Sequence, residues 1–189
     1  MWYIMHIHSL REVVNMKMDK VAGSGNDEFY TPVYAITPLI KYLKDKGFKK
    51  ILCPFDTKDS KIYKVLLSEG FEVEQSHLND DIDFFERNLS DCDCIVSNPP
   101  YSLKAEVFET LFATGKPFAM LVGVVGLFES QRRFTMFANN TFEIMYMNKR
   151  ISYHKDFESD KTALNPPFSS VWLTSGVLPQ QIVFEVINK

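Results

Sequence analysis

Between residues 49 and 125, short apolar runs alternate with amphipathic stretches, and this alternation limits the possible folds more than any other feature. "KKILCPFD" (49–56) is an apolar run of strand length. "SKIYKVLLSEG" (60–70) follows, with Ser60 as helix cap, Ile62, Val65 and Leu66 at helical spacing, and Gly70 as terminator. "FEVEQS" (71–76) has the period of two of a strand, and "DIDFFERNL" (81–89) is a loop or a short helical turn. The alternation then repeats: "CDCIVS" (92–97) predicts a strand, "SLKAEVFETLFATG" (102–115) a helix and "KPFAMLVGVV" (116–125) a strand. Strands joined through helices make right-handed crossovers and a mostly parallel sheet with helices on both faces, so an α/β fold is expected. Upstream, "TPVYAITPLIKYLKDKG" (31–47) predicts a helix that Pro38 either kinks or restarts. Downstream, residues 142–153, 169–177 and 180–187 show little helical signal, and antiparallel C-terminal strands are expected there. Gly23, Ser24 and Gly25 mark a hinge, so residues 1–25 are read as an N-terminal extension and 26–189 as one domain.

The chain has 189 residues, 46% of them hydrophobic, enough for one core without staples. No apolar run approaches the roughly 20 residues of a membrane span, and "MWYIMHIHSL" at the start lacks the features of a secretory leader. A cytoplasmic protein is expected, with no membrane partner. Cys53, Cys92 and Cys94 read as buried thiols, and although His6 and His8 alternate in strand fashion, no Cys or carboxylate follows at ligand spacing, so no metal is expected. The net charge of −3 conceals an asymmetry. Residues 41–64 hold eight lysines against three acids, and residues 68–93 hold nine acids against Arg87 alone. Solvated faces and a phosphate track are both open readings of the basic block.

Ligands of an open parallel sheet collect beyond the carboxyl ends of its strands. That rule selects the loops at 53–60, 76–85 and 98–102. The last holds "SNPPY", where Pro99 and Pro100 remove backbone donors and fix φ, so the nearby carbonyls are held in a rigid turn. The Asn98 side-chain oxygen and the Pro99 carbonyl are two acceptors able to grip both hydrogens of a planar amino group. Gripped in that way, the nitrogen lone pair leaves conjugation and becomes a better nucleophile without a strong base. Tyr101 offers a ring on which a nucleobase can stack, worth about 1–3 kcal/mol. That is comparable to the few kcal/mol needed to draw a base out of a duplex. A second "NPPF" at 165–168 precedes a strand instead of following one, and reads as a loop over the site or a structural turn. Gly123 and Gly126 read as a turn.

These residues resemble the S-adenosylmethionine-dependent amino-methyltransferases that carry an Asn/Asp-Pro-Pro-Tyr/Phe motif, specifically the phage-type adenine enzymes. "SNPPY" follows an apolar strand and precedes a helix, as in that family. "CPFDTKDS" (53–60) stands where the family has Asp-Pro-Phe-x-Gly-x-Gly-Ser/Thr, with Pro54, Phe55 and Ser60 in register. "DEFYTP" (27–32) resembles the segment bordering the methionine end of the cofactor, and "DIDFF" (81–85) the loop lining its adenine. The chain departs from the pattern at Cys53, which replaces the usual acid, and at Thr57 and Asp59, which replace glycines. The resemblance implies a Rossmann-like methyltransferase fold and methyl transfer to the exocyclic amine of adenine, in DNA. Asn98, Pro99, Pro100 and Tyr101 are the implied catalytic residues. Tyr30, Thr31, Pro32, Pro54, Phe55, Asp56, Ser76, His77, Asp83 and Phe84 are the implied cofactor residues. For the ribose hydroxyls, Glu74 is an alternative to Ser76 and His77. Lys149, Arg150 and Phe168 are expected at the substrate, the two cations to meet phosphates. An RNA base, a protein glutamine amide, or a recognition subunit that no longer takes cofactor are the alternatives. Specificity is expected to be either loose, supplied by the region after Met147, or supplied by a partner, and a homo-oligomer is a further open reading.

Overall fold

The computed structural model describes residues 30–76, 83–154, 162–164 and 169–188. Helix α1 (Val33–Asp45) leads to strand β1 (Lys50–Cys53), and helix α2 (Lys61–Ser68) connects β1 to β2 (Glu72–Gln75). Next come β3 (Cys94–Ser97), a single 3-10 turn (Tyr101–Leu103), α3 (Lys104–Thr114), β4 (Phe118–Gly123) and α4 (Gln131–Ala138). Strands β5 (Glu143–Met147), β6 (Tyr153–His154), β7 (Thr162–Leu164), β8 (Ser170–Ser175) and β9 (Ile182–Glu185) complete the chain.

Seven strands form one sheet in the order β2-β1-β3-β4-β8-β5-β9, and β6 pairs with β7 in a separate hairpin. β1 to β4 are mutually parallel, β8 is antiparallel to both β4 and β5, and β9 is parallel to β5. The expectation of an antiparallel C-terminal end is therefore corrected in the main sheet to one reversed strand. β5 and β9 run with the first four strands because β8, wedged between β4 and β5, reverses the direction twice.

Strand alternation divides the core into two layers. Ile51, Cys53, Cys94, Val96, Ala119, Leu121 and Trp172 face α1 and α2, while Leu52, Ile95, Phe118, Met120, Val122, Val171 and Leu173 face α3 and α4. β3 and β4 are buried along their whole lengths, which explains their unbroken apolar sequences. On the first face, Trp172 Nε1 donates to Ala35 O at 2.8 Å and fastens α1 to the reversed strand. On the second, Phe108 lies 5.4 Å from Phe137 between ring centroids, seating α4 on α3.

Two local outcomes differ from the sequence reading. α1 passes through Pro38 as one helix, and Thr37 Oγ1 donates to Val33 O in the affected turn. α4 has no counterpart in the reading, since "QRRFTMFA" buries only Phe137 and leaves Phe134 60% exposed. Its start is still written locally, because Ser130 Oγ accepts from the Arg133 amide at 3.2 Å.

Candidate active site at the carboxyl edge

The Asn98 turn begins where β3 ends, and the residue that ties it to the rest of the edge is Ser97. Ser97 Oγ donates to the Asp56 carboxylate and accepts from the Phe55 amide at 3.2 Å. The loop at 53–60 and the turn at 98–101 are thereby joined through one buried hydroxyl. Burial raises the Asp56 carboxyl from its ordinary 3.8 to about 6, against the hydrogen bonds from Ser60 and Ser97 that favour the charged form. Ser60 also caps α2, accepting from the Tyr63 amide at 3.1 Å.

Asn98 is half-buried and its Nδ2 donates to Thr31 Oγ1 at 3.4 Å, so the segment before α1 meets the turn directly. Pro32 is buried at the N-cap of α1, and Tyr30 forms an antiparallel bridge with His154, whose amide donates to Tyr30 O at 3.0 Å. Pro99 is buried and Pro100 precedes the 3-10 turn. Tyr101 is half-buried; its hydroxyl meets those of Tyr153 and Ser170, while Lys104 Nζ stands 4.5 Å from its ring centroid. Burial pushes the Tyr101 phenol above its ordinary value, so the ring stays neutral near pH 7. Tyr153 Oη donates to Ser170 Oγ at 2.8 Å behind it.

On the β1 side of the same edge, Phe55 and Phe84 pack with centroids 4.8 Å apart. Phe84 is core and Phe55 is half-buried, so the pair presents a partly open aromatic surface beside the 53–60 loop. Asp83 Oδ1 accepts from the Phe85 amide at 2.9 Å. Ser76 is fully buried with its hydroxyl on Pro54 O at 3.5 Å and its amide on Cys53 O at 3.1 Å, turned toward the loop backbone. His77 and Phe168 lie outside the described residues. Lys149 and Arg150 are exposed just beyond β5. Because β5 runs with β3, they stand at the same edge as Asn98, three strand intervals or roughly 14 Å to the side.

Three participants went unnoticed in the sequence: Ser97, Tyr153 and Ser170. Their side-chain contacts span at least 17 residues of chain and leave no local trace. The second proline motif, at 165–168, lies outside the described residues. β8 enters the sheet at the carboxyl edge of its neighbours, with Ser170 beside Gly123, so its entrance lies on the same side as the Asn98 turn.

The residues suit a flat, partly polar cofactor in part. The Phe55–Phe84 pair supplies an apolar face and the 53–60 backbone a rim, but the Asp56 carboxyl is committed to Ser97 and Ser60. Among the described residues, no helix is long and apolar enough to cross a membrane, and no cluster of His, Cys, Asp or Glu has the makings of a metal site.

No family model and no curated protein matches the chain. Among solved structures, it is similar to a modification subunit assigned to a type I restriction enzyme from Vibrio vulnificus YJ016, at 14% identity and a TM-score of 0.42. The match covers 88% of this chain, which spans 48% of the length of that subunit.

Proposed function

We propose that the protein transfers a methyl group from S-adenosylmethionine to the exocyclic amine of adenine in DNA, on a Rossmann-like methyltransferase fold. The observation that carries this reading is the Asn98-Pro99-Pro100-Tyr101 turn at the end of β3, joined through Ser97 to the 53–60 loop and through Thr31 to the segment before α1. In this reading Asn98 Oδ1 and the Pro99 carbonyl accept from the amine, and the neutral Tyr101 ring supports the base. S-adenosylmethionine supplies an electrophilic methyl group when bound. Phe55, Phe84 and Asp83 would hold its adenine end, and Tyr30, Thr31 and Pro32 would border its methionine end. The chain's own contribution is orientation, for which aligned reactants gain up to about 7–11 kcal/mol.

One observation favours a second reading, a recognition subunit that takes no cofactor. The 53–60 loop carries Thr57 and Asp59 where close backbone approach favours glycine, and Asp56 points inward. Calorimetry with S-adenosylmethionine separates the two, since heat of binding to the wild type supports the enzyme and its absence at saturating ligand supports the subunit. On the enzyme reading, Asn98→Ala loses at least a hundredfold in methyl transfer, as removing a preorganised polar group from a reacting centre commonly does. Its affinity for cofactor stays within about twofold. A folded Asn98→Ala protein that no longer binds cofactor would contradict the assigned roles. Radiolabelled transfer to DNA, RNA and peptide pools identifies the substrate.

A further inference from the structure

α3 and α4 both begin at the carboxyl edge, and α4 is docked on α3 by Arg132, which reaches Glu106 at 2.9 Å and Glu109 at 2.5 Å. Those pairs occupy both acids on the facing side of α3. Lys104, the first residue of α3, and Arg133, next to Arg132, have no carboxylate partner among the described residues. The Nε atom of half-buried Arg133 is buried with no hydrogen-bond acceptor, although a buried donor normally has one. Its backbone amide is already used by Ser130 Oγ. Lys104 has its aliphatic stem half-buried and its ammonium over the Tyr101 ring. Burial and, after it, the Arg133 charge both disfavour its protonated form.

Two cations at adjoining helix starts, one of them over an aromatic ring, with the neighbouring acids diverted elsewhere, are an arrangement completed by an anion. The lysine blocks earlier in the chain are different. Lys41, Lys44, Lys50 and Lys64 each carry an acid within 2.6 to 3.2 Å.

We infer that Lys104 and Arg133 form a phosphate-binding site next to Tyr101, and that its ligand is a phosphodiester of the nucleic-acid strand carrying the base held by that ring. The choice of a nucleic acid as owner of the phosphate rests on the proposed function. The cation pair itself does not. A clamp at this place holds the backbone of a displaced nucleotide while Tyr101 supports its base, so that affinity and base placement are coupled through one helix start.

The test is fluorescence anisotropy of a labelled 20-nucleotide strand with the full chain, without cofactor, across a salt series. Lys104→Gln/Arg133→Gln should bind about tenfold more weakly, and the slope of log affinity against log salt should shrink by about one. Lys104→Arg/Arg133→Lys should keep the wild-type slope. Lys46→Gln, an exposed charge at the far end of α1, should also leave it in place. An unchanged slope in a folded Gln double variant, an equal loss in Lys46→Gln, or no binding of the strand by the wild type would overturn the site. Circular dichroism checks folding; if the double variant does not fold, Lys104→Gln alone is judged by the same slope. Methyl transfer is scored separately. Transfer without a slope change removes only the phosphate site, and a slope change without transfer removes only the proposed chemistry.

Discussion

Asp56 shows how one side chain can serve the site and burden the fold together. Its carboxyl sits near pH 6, not 3.8, because burial penalises the anion more than Ser60 and Ser97 reward it. A carboxyl raised on folding contributes stability that is complete below its unfolded value and is lost as pH rises through its folded value. Near pH 7.5 the buried anion therefore costs up to about 3 kcal/mol. Asp56→Asn keeps an acceptor for Ser97 and carries no charge, so it should be more stable than the wild type at pH 7.5, with the difference shrinking toward pH 4. Urea unfolding of both proteins at pH 4, 5.5 and 7.5 checks this, and parallel profiles would refute it. The Asn98 turn was legible in the sequence because two prolines fix a backbone locally, whatever packs around them. The link through Ser97 was not legible, since a serine at a strand end gains its meaning only from Asp56, 41 residues away.

Elements were readable where burial left a local pattern: Ser60 and Gly70 bracket α2 with its buried face, and β3 and β4, buried on both faces, read as unbroken apolar runs. α4 escaped because a helix with one buried residue has no apolar stripe; its position depends on Arg132 and Phe137 meeting α3. Another tertiary device is Glu143, on β5. Its carboxylate accepts from Thr174 Oγ1 at 2.6 Å, from the Gly176 amide at 2.9 Å, and from those of Val177 and Leu178 at 3.3 and 3.4 Å. The turn after β8 is thus organised by an acid more than thirty residues upstream. Glu143→Ala should cost about 3 kcal/mol or more, because it strands buried backbone donors in addition to removing bonds. Glu143→Gln should cost less. Chemical denaturation gives the magnitudes, and faster amide exchange at Val177 and Leu178 than at β3 would locate the damage.

At the scale of the whole molecule, charge and strand direction decide what gathers at the edge. The basic block of residues 41–64 is partly paired, since Lys44 meets Glu69 and Lys50 meets Asp91 at 2.6 Å each, joining it to the acidic block. No local pattern reveals that pairing, which requires the sheet to lay the two blocks side by side. The single reversed strand has the larger consequence. Because β8 starts at the carboxyl edge, Ser170 reaches Tyr101 together with Tyr153 from the β6–β7 hairpin, so two distant segments meet at one ring. If Tyr101 supports a base, the buried Tyr153 hydroxyl is a positioning group. Tyr153→Phe removes that hydroxyl alone and should cost about 1 kcal/mol of stability. Methyl transfer should fall about tenfold, the effect of a barrier about 1.4 kcal/mol higher, with cofactor affinity unchanged. Val183→Ala separates positioning from weakened folding, because it opens the core at β9 without touching Tyr101. At a temperature where all three proteins are folded, Val183→Ala should retain wild-type turnover while Tyr153→Phe does not. Equal losses in the two variants would show that the hydroxyl acts on stability only.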